Sequence, residues 1–241
     1  MKKKRKFKVG DSLSSNTSGW SFKNISKVFD KHVSKSVPFY EEGHDIITEL
    51  STFFLNEKSI CYDLGCSTGS LLEKIIKKNS FKKTVNYFGI DIENSMIKEC
   101  KRRSKGRKNI KFINADLKKI KLKKSDLIIC YYTIQFVKPK DRQIIFNKIY
   151  NSLNWGGAFI FFEKVRAPDA RFQDISVQLY NEYKLKKNYS PASILGKTSS
   201  LRGVLEPFTS AENFRLLKRA KFKDFMTIMK HISFEGFLAI K

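Results

Sequence analysis

From residue 59 onward, short unbroken apolar runs alternate with longer stretches in which apolar residues recur every three or four positions. The first pattern marks strands buried on both faces, the second amphipathic helices. Strands are predicted at 59–63, 85–91, 110–115, 126–132 and 158–162, and helices at 71–78, 95–103 and 141–153. In the last of these, Ile144, Ile145, Ile149 and Leu153 carry the apolar stripe, and Gly156-Gly157 is read as its stop. Residues 20–55 also read as helical. Ile25, Val28 and Phe29 share one face, Ile46, Ile47, Leu50, Phe53 and Phe54 another, and Pro38 breaks the chain between them.

Strands alternating with helices at this spacing imply a parallel doubly wound sheet with right-handed crossovers. The rhythm changes after Glu163. Residues 167–208 read as helices and loops, an insertion or lid. A helix at 211–220 and two closing strands at 222–231 and 234–241 follow. The expected fold is α/β and Rossmann-like: a mostly parallel seven-stranded sheet with an antiparallel C-terminal strand and a helical lid. Residues 1–18, basic and then rich in Ser, Asn and Gly, are read as a flexible tail to a single domain at 19–241.

Composition narrows the class. Hydrophobic residues make up 41% and aromatic residues 13% of 241, enough for a packed core. No apolar run approaches the roughly 20 residues of a membrane helix, so no membrane partner is expected. The basic start, Met1 to Lys6, has no apolar stretch after it, so no secretion signal is expected. Cys61, Cys66, Cys100 and Cys130 form no C-x-x-C pair, and His32, His44 and His231 are scattered. No metal site is expected, and free thiols suit the reducing cytoplasm. The net charge of +25 invites nucleic acid. Against that, 38 of the 48 basic residues are Lys and only 10 are Arg, the residue suited to bidentate phosphate and base contacts. Nucleic-acid binding is therefore weakly supported.

The informative chemistry lies at strand ends. The segment Tyr62-Asp63-Leu64-Gly65-Cys66-Ser67-Thr68-Gly69 joins the first predicted strand to its helix. Glycines in such a turn let backbone approach a ligand, and the helix N-terminus offers unpaired N–H groups. Asp63 ends the first strand. Asp91 ends the second, where an acid can accept both ribose hydroxyls. Asp116 ends the third, where a carboxylate can meet an adenine amino group. Acids at three successive strand ends disfavour NADP, whose extra phosphate they would repel. They favour S-adenosyl-L-methionine (SAM), with NAD as the alternative. The closing strand pair fits the class I methyltransferase fold.

Further pieces are more specific: Trp20-Ser21-Phe22, Ser36-Val37-Pro38-Phe39-Tyr40, Thr133-Ile134-Gln135-Phe136, Arg142-Gln143, Lys148-Ile149-Tyr150 and Glu163-Lys164. With the Gly65-Cys66-Ser67 loop they resemble the carboxy-S-adenosyl-L-methionine synthases of the CmoA type, of which this chain would be a divergent member. The resemblance runs from about Trp20 to Lys241. It implies a homodimeric enzyme that makes carboxy-SAM from SAM and prephenate, for use in tRNA wobble-uridine modification. It places Tyr40, Gly65, Cys66, Ser67, Asp91, Ile92, Asp116 and Leu117 around SAM or carboxy-SAM. The reading of the turn adds Asp63 and Gly69.

Two positions depart from the family. Tyr131 stands where it has Asn, and Thr198, after Lys197, stands where it has an Arg that clamps the added carboxylate. A charge-assisted contact of that kind is worth about 1.5–3 kcal/mol. Arg202, one helical turn beyond Thr198, is the candidate replacement. Two alternatives stay open: methyl transfer to a small molecule or RNA, and a non-catalytic SAM-binding module that docks RNA or a partner. No catalytic residue is assigned; Tyr131 and Arg202 are candidates, and Tyr131 and Thr198 join the expected SAM site.

Overall fold

The computed structural model of the chain describes residues 6–10, 13–23 and 25–241. Strands β1 (Lys6–Gly10) and β2 (Leu13–Asn16) form an antiparallel hairpin. This corrects the expectation of a flexible tail over the described part; residues 1–5, 11 and 12 lie outside the described residues. Val9 is buried here, and Ser18 and Trp20 donate backbone hydrogen bonds to Ser199 and Ser200. The segment is thus sewn to the lid by apolar contact and main-chain pairing.

Helix α1 (Phe29–Ser36) starts later than the apolar spacing from residue 20 implied, because 20–23 and 25–28 are not helical and 26–28 form a turn. Ile25 and Phe29 still bury together with Trp20. Pro38 separates α1 from α2 (Tyr40–Phe54), with Phe39 at φ 54 between them. The alternating core follows: β3 (Ile60–Leu64), α3 (Ser70–Lys78), β4 (Asn86–Asp91), α4 (Asn94–Arg103), β5 (Ile110–Asn114), β6 (Ser125–Tyr131), α5 (Pro139–Ser152) and β7 (Leu153–Lys164). The lid holds α6 (Ala170–Lys186) and α7 (Pro191–Ser200). Helix α8 (Ser210–Arg219), β8 (Asp224–His231) and β9 (Phe234–Ile240) close the chain. Asp169 and Ser190 accept backbone N–H groups at the starts of α6 and α7, and Thr209 with Glu212 forms a capping box on α8.

The sheet order is β5-β4-β3-β6-β7-β9-β8. The first five strands are parallel, and β9 runs antiparallel to both β7 and β8. Burial of β6 on both faces explains its unbroken apolar run. Leu127, Ile129 and Tyr131 face the cluster containing Ile47, Leu72 and Ile97. Ile128 and Cys130 face the cluster containing Ile145, Phe146 and Leu217. Helices α2, α3 and α4 therefore cover one side, α5 and α8 the other.

The glycine pair expected to stop α5 lies inside β7 instead. The helix ends at Ser152, and Leu153 already pairs with Ser125. Gly156 and Gly157 exchange backbone bonds with Lys241. Gly156 at φ 76 accommodates the register shift between Leu153 and Ala158, so its freedom serves a strand irregularity rather than a helix cap.

Candidate functional site

All five parallel strands present their C-terminal ends on one edge, where ligands of open α/β sheets bind. A cavity of ≈ 760 Å³ opens there, walled by α1, the strand ends and the lid. Of the residues expected around the ligand, Tyr40, Gly65, Ser67, Asp91, Ile92, Asp116, Leu117, Tyr131, Thr198 and Arg202 line it. Asp63, Cys66 and Gly69 lie behind the wall.

The turn after β3 is shaped by close packing. Gly65 has φ 86, and a Cβ there would stand 2.2 Å from Thr133 Oγ1. Only glycine lets the turn approach the segment after β6 so closely. Gly69, at φ 82, caps α3, and a Cβ there would meet Cys100 Sγ at 3.2 Å. Cys66 is buried next to Cys100, and burial pushes its thiol up. It is packing, not a nucleophile. Thr68 donates its hydroxyl to Asp30 at 2.5 Å, and Asp30 also pairs with Arg103, so α1 is tied to the loop and to α4.

Asp91 is held for hydrogen bonding. Its Oδ2 accepts the Ser67 N–H at 2.9 Å and its Oδ1 the Glu93 N–H at 2.8 Å. Each oxygen keeps a lone pair for a ligand hydroxyl. Burial raises its pKa to about 6 despite these amides. Asp116 is half-buried; one oxygen accepts the Lys118 N–H, which orients the carboxyl at the β5 end of the cavity. Asp63 is only 2% exposed, with one carboxylate oxygen unpartnered, and burial followed by the Asp91 charge lifts it to about 7.

Tyr131 lines the cavity with its ring, but its hydroxyl donates to the Tyr40 carbonyl at 2.5 Å. That hydroxyl is committed to the scaffold. Thr198 donates to Ile194 within α7, so it too presents little polar capacity. Arg202 is exposed at the lid rim and makes no ion pair among the described residues.

The sequence reading missed a set of basic and aromatic wall residues: Trp20, His32, Lys164, Arg166, Lys184 and Lys197. His32 stacks on Trp20, with its Nε2 3.3 Å from Lys197 Nζ, so it is a wall residue and not a remote one. His44 is buried with both ring nitrogens unpartnered, and burial followed by the Lys74 charge lowers it to about 3. Arg142 is a brace: it donates to the Val137, Gln135 and Glu206 carbonyls and stacks on Phe208, linking the segment after β6 to the end of the lid. Among the described residues no cluster of His, Cys, Asp or Glu could hold a metal ion, and no helix is long and apolar enough to cross a membrane.

Comparisons agree with this geometry. A methyltransferase-domain family model matches residues 61–157. A SAM-dependent methyltransferase from Aquifex aeolicus superposes with a TM-score of 0.59 over 90% of this chain and 98% of that one, at 15% identity, a likeness of fold. A carboxy-S-adenosyl-L-methionine synthase from Staphylococcus epidermidis is 37% identical over 92% of this chain and 97% of its own length. One from Campylobacter lari is 35% identical over 90% of this chain and 92% of its own length. Identity at this level across nearly the whole length of both partners places the chain in the carboxy-S-adenosyl-L-methionine synthase family of SAM-dependent enzymes with the class I methyltransferase fold.

Proposed function

We propose that this enzyme converts SAM and prephenate into carboxy-SAM and phenylpyruvate. The observation that carries the reading is the polarity of this cavity. Its β4–β5 end is lined by Asp91 and Asp116, suited to a ribose and an adenine amino group. Its β7 end is lined by Lys164, Arg166 and Lys184, suited to carboxylates, and the α7 side of the lid adds Lys197 and Arg202. In the sheet order Asp91 and Lys164 stand three strands apart, about 14 Å at the usual strand spacing. That span can seat SAM with a second anionic substrate beside its sulfonium.

The reaction balances without a further reagent. The carboxyl carbon lost by prephenate becomes bonded to the SAM methyl carbon. The methyl proton leaves with the prephenate hydroxyl as water, and phenylpyruvate remains. The protein's part is to hold the sulfonium methyl against the departing carboxyl group and to exclude bulk water.

The committed hydroxyl of Tyr131 weighs against the methyl-transfer reading, which wanted an acceptor contact there. Ion pairing weighs against the RNA-docking reading, since Glu99 and Asp30 already pair Arg102 and Arg103 in the basic 98–111 stretch. Carboxy-SAM from this enzyme would supply a partner that carboxymethylates a tRNA wobble uridine. Four unpaired cysteines favour the reducing cytoplasm as the site of action. Exposed Phe172, Ile175 and Leu179, spaced i, i+3 and i+7 on α6, favour a homodimer joined through that face.

The test is incubation of the purified protein with SAM and prephenate, read by mass spectrometry. Carboxy-SAM and phenylpyruvate in equal amounts are expected. SAM or S-adenosylhomocysteine alone, with prephenate unconsumed, overturns the reading.

A further inference from the structure

We propose that Lys164 and Lys184 together form the seat for a carboxylate group of the second substrate, a small organic acid. This names a binding site within the cavity assigned above and rests in part on that reading.

Lys164 is the last residue of β7, and Lys184 is the one buried residue of α6, at 6% exposure. Both line the cavity. Their ammonium groups stand 4.3 and 4.5 Å from the centroid of the same Tyr180 ring, and Lys164 lies 5.8 Å from that of Phe234. Tyr180 is fixed by its hydroxyl, which donates to the Ser36 carbonyl at 2.8 Å. The backbone of Lys164 is fixed too, its N–H donating to Gln135 Oε1 at 2.8 Å. The two side chains therefore project from held positions on two different elements.

Neither ammonium has a carboxylate or carbonyl partner among the described residues. The neighbouring charges are themselves basic: Arg166 acts on Lys164, and Lys164 acts on Lys184. Glu163 does not serve. It is the preceding residue of the strand, faces the other side of the sheet, and is influenced by Arg142 and the Ile134 and Gln135 amides. Burying an ammonium without a counter-charge is costly, and cation–π contact returns only part of that cost. Two such groups around one ring in an open cavity form a site whose missing partner is an anion. The surrounding Tyr180 and Phe234 rings suit an organic acid with an apolar body better than an inorganic ion. Burial and the adjacent positive charge also hold Lys164 down at about 8 and Lys184 at about 7, the direction expected for cations awaiting an anion.

The test is calorimetric titration of the SAM-loaded protein with prephenate, phenylpyruvate and malonate in turn. The wild type should bind at least one of them. Lys164→Met and Lys184→Met should each weaken that binding tenfold or more. Lys184→Arg should keep it within about threefold, and SAM affinity should stay within twofold in all three variants. A variant that retains SAM affinity and binds the acid as the wild type does overturns the seat, as does a wild type that binds none of the three. Binding of phenylpyruvate or malonate that depends on the lysines, without binding of prephenate, keeps the seat and removes prephenate. Should the Met variants fail to fold, lysine acetylation of the wild type mapped by mass spectrometry decides. The acid should protect Lys164 and Lys184 while exposed lysines react unchanged, and absence of protection overturns the proposal.

Discussion

The Tyr131 hydroxyl reaches the Tyr40 carbonyl at 2.5 Å by passing over Gly43, where a Cβ would stand 2.3 Å from that same hydroxyl. The large side chain at the end of β6 and the missing side chain on α2 fit one another. Gly43→Ala should therefore act as an overpacking change, costing about 1–3 kcal/mol. Tyr131→Phe removes the clashing oxygen and loses one hydrogen bond, worth about 1 kcal/mol. The double variant should be more stable than the sum of the two single losses, read as a coupling in chemical denaturation. Additive losses would show that the pair does not interact.

Asp91 links ligand binding to pH. Burial holds its pKa at about 6, and ribose hydroxyls that donate to it favour the ionised form. Binding then releases a proton below pH 6, so SAM affinity should fall with falling pH, approaching tenfold per unit. Above that range it should be flat. Titration calorimetry from pH 5 to 8 checks this. Asp91→Asn should weaken SAM by about 10- to 100-fold and flatten the profile; an unchanged profile would remove Asp91 from the site.

Strand and helix periodicity exposed the β3–β7 core because those elements are buried on both faces or along one stripe. The site's acidic end was equally legible, since Asp91 and Asp116 sit at strand ends whose place follows from the fold. The lid end was not. Lys184 sits among Lys186 and Lys187 in a chain with 38 lysines, and only the packing of α6 distinguishes it. The β1–β2 hairpin was hidden for a related reason: its alternation of Lys with Phe7 and Val9 spans only four residues inside a basic run, and its order comes from docking on the lid. Gly156-Gly157 misled because a glycine with positive φ serves a strand irregularity as readily as a helix end.

Asp63 gives a stability signature of the opposite sign to the usual carboxylate. Its folded pKa of about 7 lies above the unfolded value of about 3.9. The folded state therefore holds a proton that the unfolded chain has released. The group's contribution is fully present below about pH 4 and is lost as pH rises through 7, by at most about 1.4 kcal/mol per unit. His44, lowered to about 3, works in the other direction, losing stability as pH falls below about 6.5. Comparing Asp63→Asn with the wild type cancels the His44 contribution. The variant's advantage in thermal or urea unfolding should grow from pH 5 to 8; a constant difference would place the proton elsewhere.

The α6 face should decide the oligomeric state. Phe172, Ile175 and Leu179 are 47%, 52% and 44% exposed along one stripe, and covering them would remove apolar area from water. Light scattering coupled to size exclusion should give twice the 28.0 kDa chain mass. Ile175→Glu with Leu179→Glu should give the single-chain mass with SAM binding retained. A wild type that already runs as one chain would end the dimer reading.

Arg202 and Thr198 test how carboxy-SAM would be held where the family resemblance implies an Arg at position 198. Both residues line the cavity, one turn apart, and the Thr198 hydroxyl is already donated to Ile194. If Arg202 clamps the added carboxylate, Arg202→Ala should weaken carboxy-SAM by about 10- to 100-fold, the worth of one charge-assisted contact. SAM, which lacks that carboxylate, should bind the variant as before. Installing an Arg at position 198 tests the same point from the other side. Thr198→Arg should tighten carboxy-SAM in the wild type only modestly, because a clamp is already present, and should restore most of the loss in Arg202→Ala. Competition calorimetry with both ligands reads all four proteins. Equal losses for SAM and carboxy-SAM would show that Arg202 supports the lid and not the carboxylate. No loss for either would leave the lysines of the β7 end as the groups that distinguish product from substrate.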